Sequence, residues 1–183
     1  MKVMVVGAGV MGKNHVRVLS GLPEVSEVLV VDSREEALSE VKKIGVKVKT
    51  FSSIELALKE KPDACTIVTP TPAHYDVFSK VNGKVSGILV EKPIAETVEI
   101  GEKIVNEAKQ TGVVLQIGHI ERFNSGVLAL KKNASQIGEL RYASTHRFGV
   151  PSRKIADDVI IDLAVHDIDV LCFISGEKPL SVI

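Results

Sequence analysis

The sequence has no tryptophan, and aromatic residues of all kinds fill only 4% of its 183 positions. That leaves little for the stacking platforms on which single-stranded nucleic acids or sugar rings lie flat. Charge of one sign is lacking too. Lysine plus arginine and aspartate plus glutamate both total 23, so no net field draws in nucleic acid or an anionic membrane. No apolar run reaches the roughly 18 residues of a membrane span, and the start reads as a strand entering a glycine turn rather than a signal peptide. Cysteine is scarce: Cys65 and Cys172 each sit in an apolar segment without partner spacing, which reads as two buried thiols. A cytoplasmic, soluble protein without nucleic-acid or membrane partners is expected. Its 45% apolar content is ample for a core.

What is present is concentrated in the first twelve residues. The β-branched run Val3–Val6 meets Gly7, Gly9 and Gly12, and helix-permissive residues follow from Lys13. A buried strand, a glycine turn and a helix start form the arrangement in which G-x-G-x-x-G binds a dinucleotide pyrophosphate. Gly7 makes the tight turn, Gly9 lets the backbone approach the phosphates, and Gly12 lets the helix pack on the strand. Val10 and Met11, between the glycines, belong to the same expected contact set. The helix offers unpaired N–H groups and its positive dipole end to the diphosphate.

A second apolar run, Val28–Val31, ends in Asp32, 20 residues after Gly12. A carboxylate there can accept hydrogen bonds from the adenosine ribose hydroxyls, and its charge disfavours a 2′-phosphate. This points to NAD. Arg34, just past Ser33, could form a bidentate pair with a 2′-phosphate, so NADP is not excluded; its plainer reading is a solvated residue of the next helix.

Further along, helices are expected over 33–44 (closed by Gly45), 54–60 (capped by Ser52 or Ser53), 73–81 and 97–111 (closed by Gly112). Strands are expected over 46–50, 64–68, 87–90 and 113–117. The fold class is therefore α/β, a Rossmann doubly wound parallel sheet, with ligands at the carboxyl ends of its strands. The unusual polar clusters fall at those ends: the glycine turn, Asp32, Thr69–Thr71, Glu91–Lys92 and His119. After His119 the pattern changes. A helix over 122–132, an alternating strand over 139–148, a loop over 153–158, a helix over 159–175 and an opening strand over 179–183 suggest a partial α+β domain. The expected division is 1–119 and 120–183.

Three residues stand out for chemistry. Lys92 follows a buried strand and precedes Pro93, where it can position a substrate hydroxyl; the plainer reading is a surface pair with Glu91. Asp162 and His166 lie four apart on an apolar helix, and an imidazole oriented by a carboxylate is a sound general base near neutral pH. The plainer reading there is a satisfied structural pair. Asp167 and Asp169 fall on other faces and read as solvated or capping. No histidine or acid has zinc-site spacing and no cysteine assists, so no metal site is expected.

Taken together, Gly7–Gly12 with His15, Thr69-Pro70-Thr71-Pro72 with His74, Glu91-Lys92-Pro93, Gly118–Asn124 and Asp162–Asp167 resemble the Gfo/Idh/MocA family of NAD(P)-dependent oxidoreductases. The wording of the last two segments is similar to members acting on nucleotide sugars. The resemblance implies that Lys92 is the catalytic lysine, with a proline often following a cis bond. It implies that Asp162 and His166 complete a triad in which His166 takes the proton as hydride leaves a sugar carbon. Thr69, Pro70, Thr71 and His74 would line the ribose and nicotinamide side, and Ser33, Arg34, Glu91 and Lys92 join the cofactor-contact set. Ser125 departs from the family's usual proline, which suggests a local backbone change. Family members also carry a large C-terminal sheet that holds the sugar and the dimer interface, of which this chain has the beginning. A homo-oligomer is expected. A sugar or nucleotide-sugar dehydrogenase is the first reading; an NAD(H)-binding module without sugar turnover is the alternative.

Overall fold

The computed structural model describes residues 1–148 and 160–181, apart from the side chains of Ser135, Ile137 and Ile161. The chain divides into two units, Met1–Gly118 and His119–Ile183.

In the first unit the strands β1 (Lys2–Val6), β2 (Glu27–Val31), β3 (Val48–Phe51), β4 (Ala64–Ile67), β5 (Gly87–Val90) and β6 (Val114–Ile117) form one sheet in the order β3-β2-β1-β4-β5-β6. Every pairing is parallel. The helices between them are α1 (Val10–Gly21), α2 (Glu35–Lys42), α3 (Ile54–Leu58), α4 (His74–Val81) and α5 (Val98–Thr111). Chain order reverses between β1 and β4, the switch point at which such sheets leave a crevice.

Strand residues alternate between two cores. Val3, Val5, Val28 and Val30 face α1 and α2, with Val16, Ala37 and Val41 opposite. Met4, Leu29, Cys65, Ile67, Ile88 and Val90 face the other way, against Ile54, Phe78, Val81 and Ile104. Burying such a side chain contributes about 1.5–3 kcal/mol, which is why continuous apolar runs settle as central parallel strands. Caps mark the helix boundaries: the Ser53 hydroxyl accepts from Leu56 N at 3.3 Å and that of Thr97 from Ile100 N at 3.3 Å. Gly112 closes α5 in the left-handed conformation.

The elements expected in this unit are all present, several of them shorter. The helix expected over 33–44 spans only Glu35–Lys42, and Gly45 does not take the left-handed conformation of a cap. Lys43 and Ile44 instead donate to the Glu40 and Val41 carbonyls, closing α2 before the glycine. A short 3-10 turn, Thr71–Ala73, precedes α4.

The second unit contains a 3-10 turn, Ile120–Phe123, then α6 (Ser125–Ile137), a π turn over Ile160–Ala164 and α7 (Val165–Ser175), stopped by left-handed Gly176. Ser125 is the first residue of α6, a position that proline also suits. The Asn124 side chain caps the helix by accepting from Gly126 N at 2.9 Å, so no backbone break is needed there. The expected strand over 139–148 is not formed: these residues are exposed and pair with nothing as a strand. Alternation supplies two faces, but a strand also needs a neighbour for its N–H and C=O groups, and the described residues of this unit hold no other strand. The loop over 153–158 and the residue 159 lie outside the described residues, as do 182–183. Residues 179–181 of the expected final strand form none.

Candidate functional site

The glycine turn is tightly built at two points and open at the third. Gly7 takes φ +107° and donates to the Val31 carbonyl at 2.8 Å; a Cβ there would sit 2.6 Å from the Val68 carbonyl oxygen. A Cβ on Gly12 would collide with the Gly7 carbonyl, so α1 can rest on the turn only as glycine. Gly9 has nothing within 4 Å of an added Cβ. It is also the N-cap of α1 and brings no side chain to cap the helix. The start of α1 is therefore left without a side-chain cap, and Val10 and Met11 are exposed there. A diphosphate fits this cradle on charge and on room.

Asp32, at the end of β2, accepts from Ala8 N at 2.8 Å. Arg34 donates to it three times: from its backbone N at 2.9 Å, from Nε at 3.1 Å and from Nη2 at 3.1 Å. Burial pushes the Asp32 carboxyl up, but the Arg34 guanidinium and the two backbone N–H groups outweigh it and hold the group below its ordinary value. Ser33 is exposed beside the pair. Asp32 is thus fixed in place and ionised, as a ribose-hydroxyl acceptor must be. Arg34 is bonded to Asp32 while its side chain stays 61% exposed, as its plainer reading as a solvated residue expects.

Past β4, the Thr69 Oγ1 is buried with no hydrogen-bond partner, a polar atom awaiting one. Pro70 is exposed and Thr71 opens the 3-10 turn. His74 is 1% exposed. Its Nε2 lies 2.9 Å from the Thr69 carbonyl, and its Nδ1 lies 3.1 Å from that of Pro93 and 3.3 Å from that of Ile94. Its ring nitrogens thus lie between the two loops that follow β4 and β5 and tie them together.

Past β5, the Lys92–Pro93 peptide is cis and Lys92 is half-buried. Glu91 is oriented inward: its Oε1 lies 2.8 Å from His15 Nε2 on α1, and its Oε2 accepts from Lys92 N at 3.1 Å. Burial pushes the Glu91 carboxyl up, and His15 together with the Lys92 N–H and charge outweighs it, holding the group below its ordinary value. The Cys65 thiol, enclosed in β4, is pushed far up by burial and takes no part.

In the second unit Asp162 is buried at 5% exposure and His166 is half-buried one turn on. Asp169, expected to be solvated, is instead gripped by Arg122, with Nε at 2.7 Å and Nη2 at 2.5 Å, and its side chain is 9% exposed. His119 Nδ1 stands 3.7 Å from the same carboxylate. Asp167 takes a two-point bond from Arg147, each contact at 3.2 Å. Arg122 and Asn124 thus hold the architecture of this segment. Sequence reasoning missed the bonds His15–Glu91 and Arg122–Asp169, which join residues 76 and 47 positions apart. No local pattern reports such a pairing. Among the described residues no three histidines, cysteines or acids gather as a metal site, and no helix is long and apolar enough to cross a membrane.

A parallel sheet of this order, with an open phosphate cradle and a fixed acid at the end of its second strand, defines a dinucleotide-binding Rossmann domain. Residues 1–119 match the family model described as the oxidoreductase family with an NAD-binding Rossmann fold, and the chain belongs to this Gfo/Idh/MocA family. It is 30% identical over 183 residues to UDP-N-acetylglucosamine 3-dehydrogenase of Acidithiobacillus ferrooxidans, covering 100% of this chain and 56% of that protein. It is 32% identical over 187 residues to inositol 2-dehydrogenase of Rhizobium meliloti, covering 96% of this chain and 55% of the relative. The solved structure of the Acidithiobacillus enzyme GnnA superposes with a TM-score of 0.80 at 27% identity, over 99% of this chain and 58% of that one. The chain therefore spans just over half the length of these relatives.

Proposed function

We propose that this chain is the cofactor-binding and catalytic part of a dehydrogenase that oxidises a secondary hydroxyl of a sugar or nucleotide sugar. The observation that carries the reading is the alignment of an open phosphate cradle at Gly9, a fixed carboxylate at Asp32 and a lysine at Lys92 along one edge of one sheet. NAD, when bound, supplies the hydride acceptor. The N–H groups at the start of α1 hold its diphosphate, Asp32 accepts from the adenosine ribose hydroxyls, and Thr69, Pro70 and Thr71 line the other half. On the substrate, Lys92 donates a hydrogen bond to the reacting hydroxyl and steadies the charge that grows there as its proton leaves. His166 takes that proton, and Asp162 orients the imidazole. Residues 120–183 begin the substrate and dimerisation domain of a cytoplasmic homo-oligomer.

The relatives' names support sugars, inositols and nucleotide sugars as the substrate class. The second reading is a chain that holds NAD(H) without sugar turnover. It needs only the first unit, where the cradle at Gly9 and the fixed Asp32 lie together.

Titration with NADH, NADPH and NAD⁺, followed by nicotinamide fluorescence, tests the cofactor site. NADH should bind in the micromolar range and about tenfold more weakly to Asp32→Ala. Absence of binding by every form would overturn both readings. A screen of UDP-N-acetylglucosamine and inositols for NADH formation then separates the two: turnover lost in Lys92→Ala and His166→Ala supports the enzyme, and binding without turnover supports the module.

A further inference from the structure

Glu91 is gripped from three sides, all within the first unit. His15 meets Oε1 at 2.8 Å, the Lys92 N–H is donated to Oε2 at 3.1 Å, and a Cβ on Gly118 would lie 2.8 Å from Oε2. These three residues come from α1, from the segment after β5 and from the end of β6. Both members of the hydrogen-bonded pair are largely enclosed, with side-chain exposures of 18% and 15%. An exposed pair contributes little, but a carboxylate enclosed with each oxygen engaged fixes the geometry of what it holds.

The geometry is informative because of what each end carries. His15 lies on α1 one turn beyond Gly12, on the helix whose N-terminus faces the diphosphate. Lys92 is the residue assigned above to the reacting hydroxyl. β1 and β5 are not neighbours in the sheet, since β4 lies between them. With Asp32 at the β2 side and the diphosphate over the switch point, the nicotinamide half falls over β4 and β5. The clasp thus joins the phosphate-binding helix to the wall of the nicotinamide half.

We propose that His15 and Glu91 are positioning residues that lock the Lys92 backbone to α1, holding the lysine and the nicotinamide half of the cofactor in register. This rests on the NAD-binding reading. Neither residue is assigned to touch the diphosphate, so their loss acts on one half of the cofactor only. Glu91, expected among the cofactor contacts, has both oxygens engaged by His15 Nε2 and the Lys92 N–H, so its part in this proposal is exerted through the Lys92 peptide.

The test compares NADH with ADP-ribose, which has the same adenosine and diphosphate and lacks the nicotinamide. By calorimetric titration, His15→Ala should weaken NADH about tenfold and ADP-ribose less than twofold. His15→Gln, which keeps a donor at similar reach, should restore NADH to within about threefold of the parent. Gly118→Ala, which displaces Glu91 from the opposite side, should reproduce the NADH-selective loss even if His15→Ala folds poorly. The double variant His15→Ala/Glu91→Ala should be no weaker than the poorer single variant, as a shared interaction requires. Equal weakening of both ligands would overturn the proposal, because the clasp would then serve only the glycine turn. Unchanged NADH binding in His15→Ala would overturn it as well. A parent protein that binds neither ligand would remove the cofactor reading itself, and the proposal with it.

Discussion

Asp32 reaches across the turn to accept the Ala8 N–H at 2.8 Å while its oxygens receive the guanidinium of Arg34. The acid proposed to accept from the adenosine ribose is thereby tied to the glycine turn proposed to hold the diphosphate. Replacing Asp32 by serine removes the negative charge and frees Arg34, whose fork suits a 2′-phosphate. NADPH should then gain on NADH by about tenfold or more in relative affinity. A variant whose preference stays unchanged would show that Arg34 cannot reach the phosphate.

The same pair sets an acid response. Because the folded Asp32 carboxyl lies below its ordinary value of 3.8, its contribution to stability is present above that value. It is lost as pH falls through the lower, folded value. Arg34→Ala removes the main opposing influence and brings the folded value back up. Its thermal midpoint should therefore lie below the parent's near neutral pH, with the two curves converging as pH falls below about 4 and the parent gives up this contribution. Curves that coincide from neutral pH down to pH 2 would mean that solvent screens the pair completely.

Two glycines of one turn should respond differently to the same methyl group. Gly9 has open space and φ −71°, so Gly9→Ala should leave the melting temperature within about 2 °C while weakening NADH at least tenfold. Gly12→Ala meets backbone at the Gly7 carbonyl and cannot be relieved by a rotamer change. Forcing it in costs about 1–3 kcal/mol or more, lowering the midpoint by several degrees along with binding. Melting curves on the two purified variants decide this; a stable Gly12→Ala protein would mean α1 can shift off the strand.

Much of this architecture was legible because its signals are local. The runs Val3–Val6 and Val28–Val31, the caps Ser53 and Thr97 and the stop at Gly112 each report on their own few residues. The strand expected over 139–148 failed for the opposite reason, since alternation describes one chain and pairing takes two. Gly45 misled because α2 closes through Lys43 and Ile44 before the glycine is needed. The site was half legible. The glycine turn, Asp32 and Lys92 follow from motif and spacing. The bonds that hold them, Ala8 to Asp32 and His15 to Glu91, depend on which strand ends become neighbours. Nothing in a residue's own surroundings encodes that.

His74 illustrates how a motif residue can act from behind the site. Its ring lies between the Thr69 carbonyl and those of Pro93 and Ile94, at 1% exposure. His74→Ala leaves a cavity and unpaired carbonyls, at a cost of about 2–4 kcal/mol. The midpoint should fall by roughly 5–15 °C. His74→Phe restores the volume without a donor and should recover less than half of the loss. Full recovery by phenylalanine would mean that packing alone accounts for the histidine.

Arg122 offers the corresponding test in the second unit. Its guanidinium meets both oxygens of Asp169, at 2.7 and 2.5 Å, and its carbon lies 5.5 Å above the centre of the Phe173 ring. Asp169 is enclosed, so Arg122→Ala strands a carboxylate that water reaches poorly, whereas Asp169→Asn leaves an uncharged acceptor. Hydrogen exchange over α6 and α7 should therefore quicken more in Arg122→Ala than in Asp169→Asn. Arg122→Lys keeps the charge but not the planar two-point bond, and should fall between them. The order matters more than the size of each change. If the lysine variant exchanges as slowly as the parent, a single charge suffices and the paired geometry is incidental. If Asp169→Asn is the worst of the three, then the lost charge on Asp169 and not the stranded carboxylate governs the local stability, and His119, 3.7 Å from it, becomes the next residue to vary.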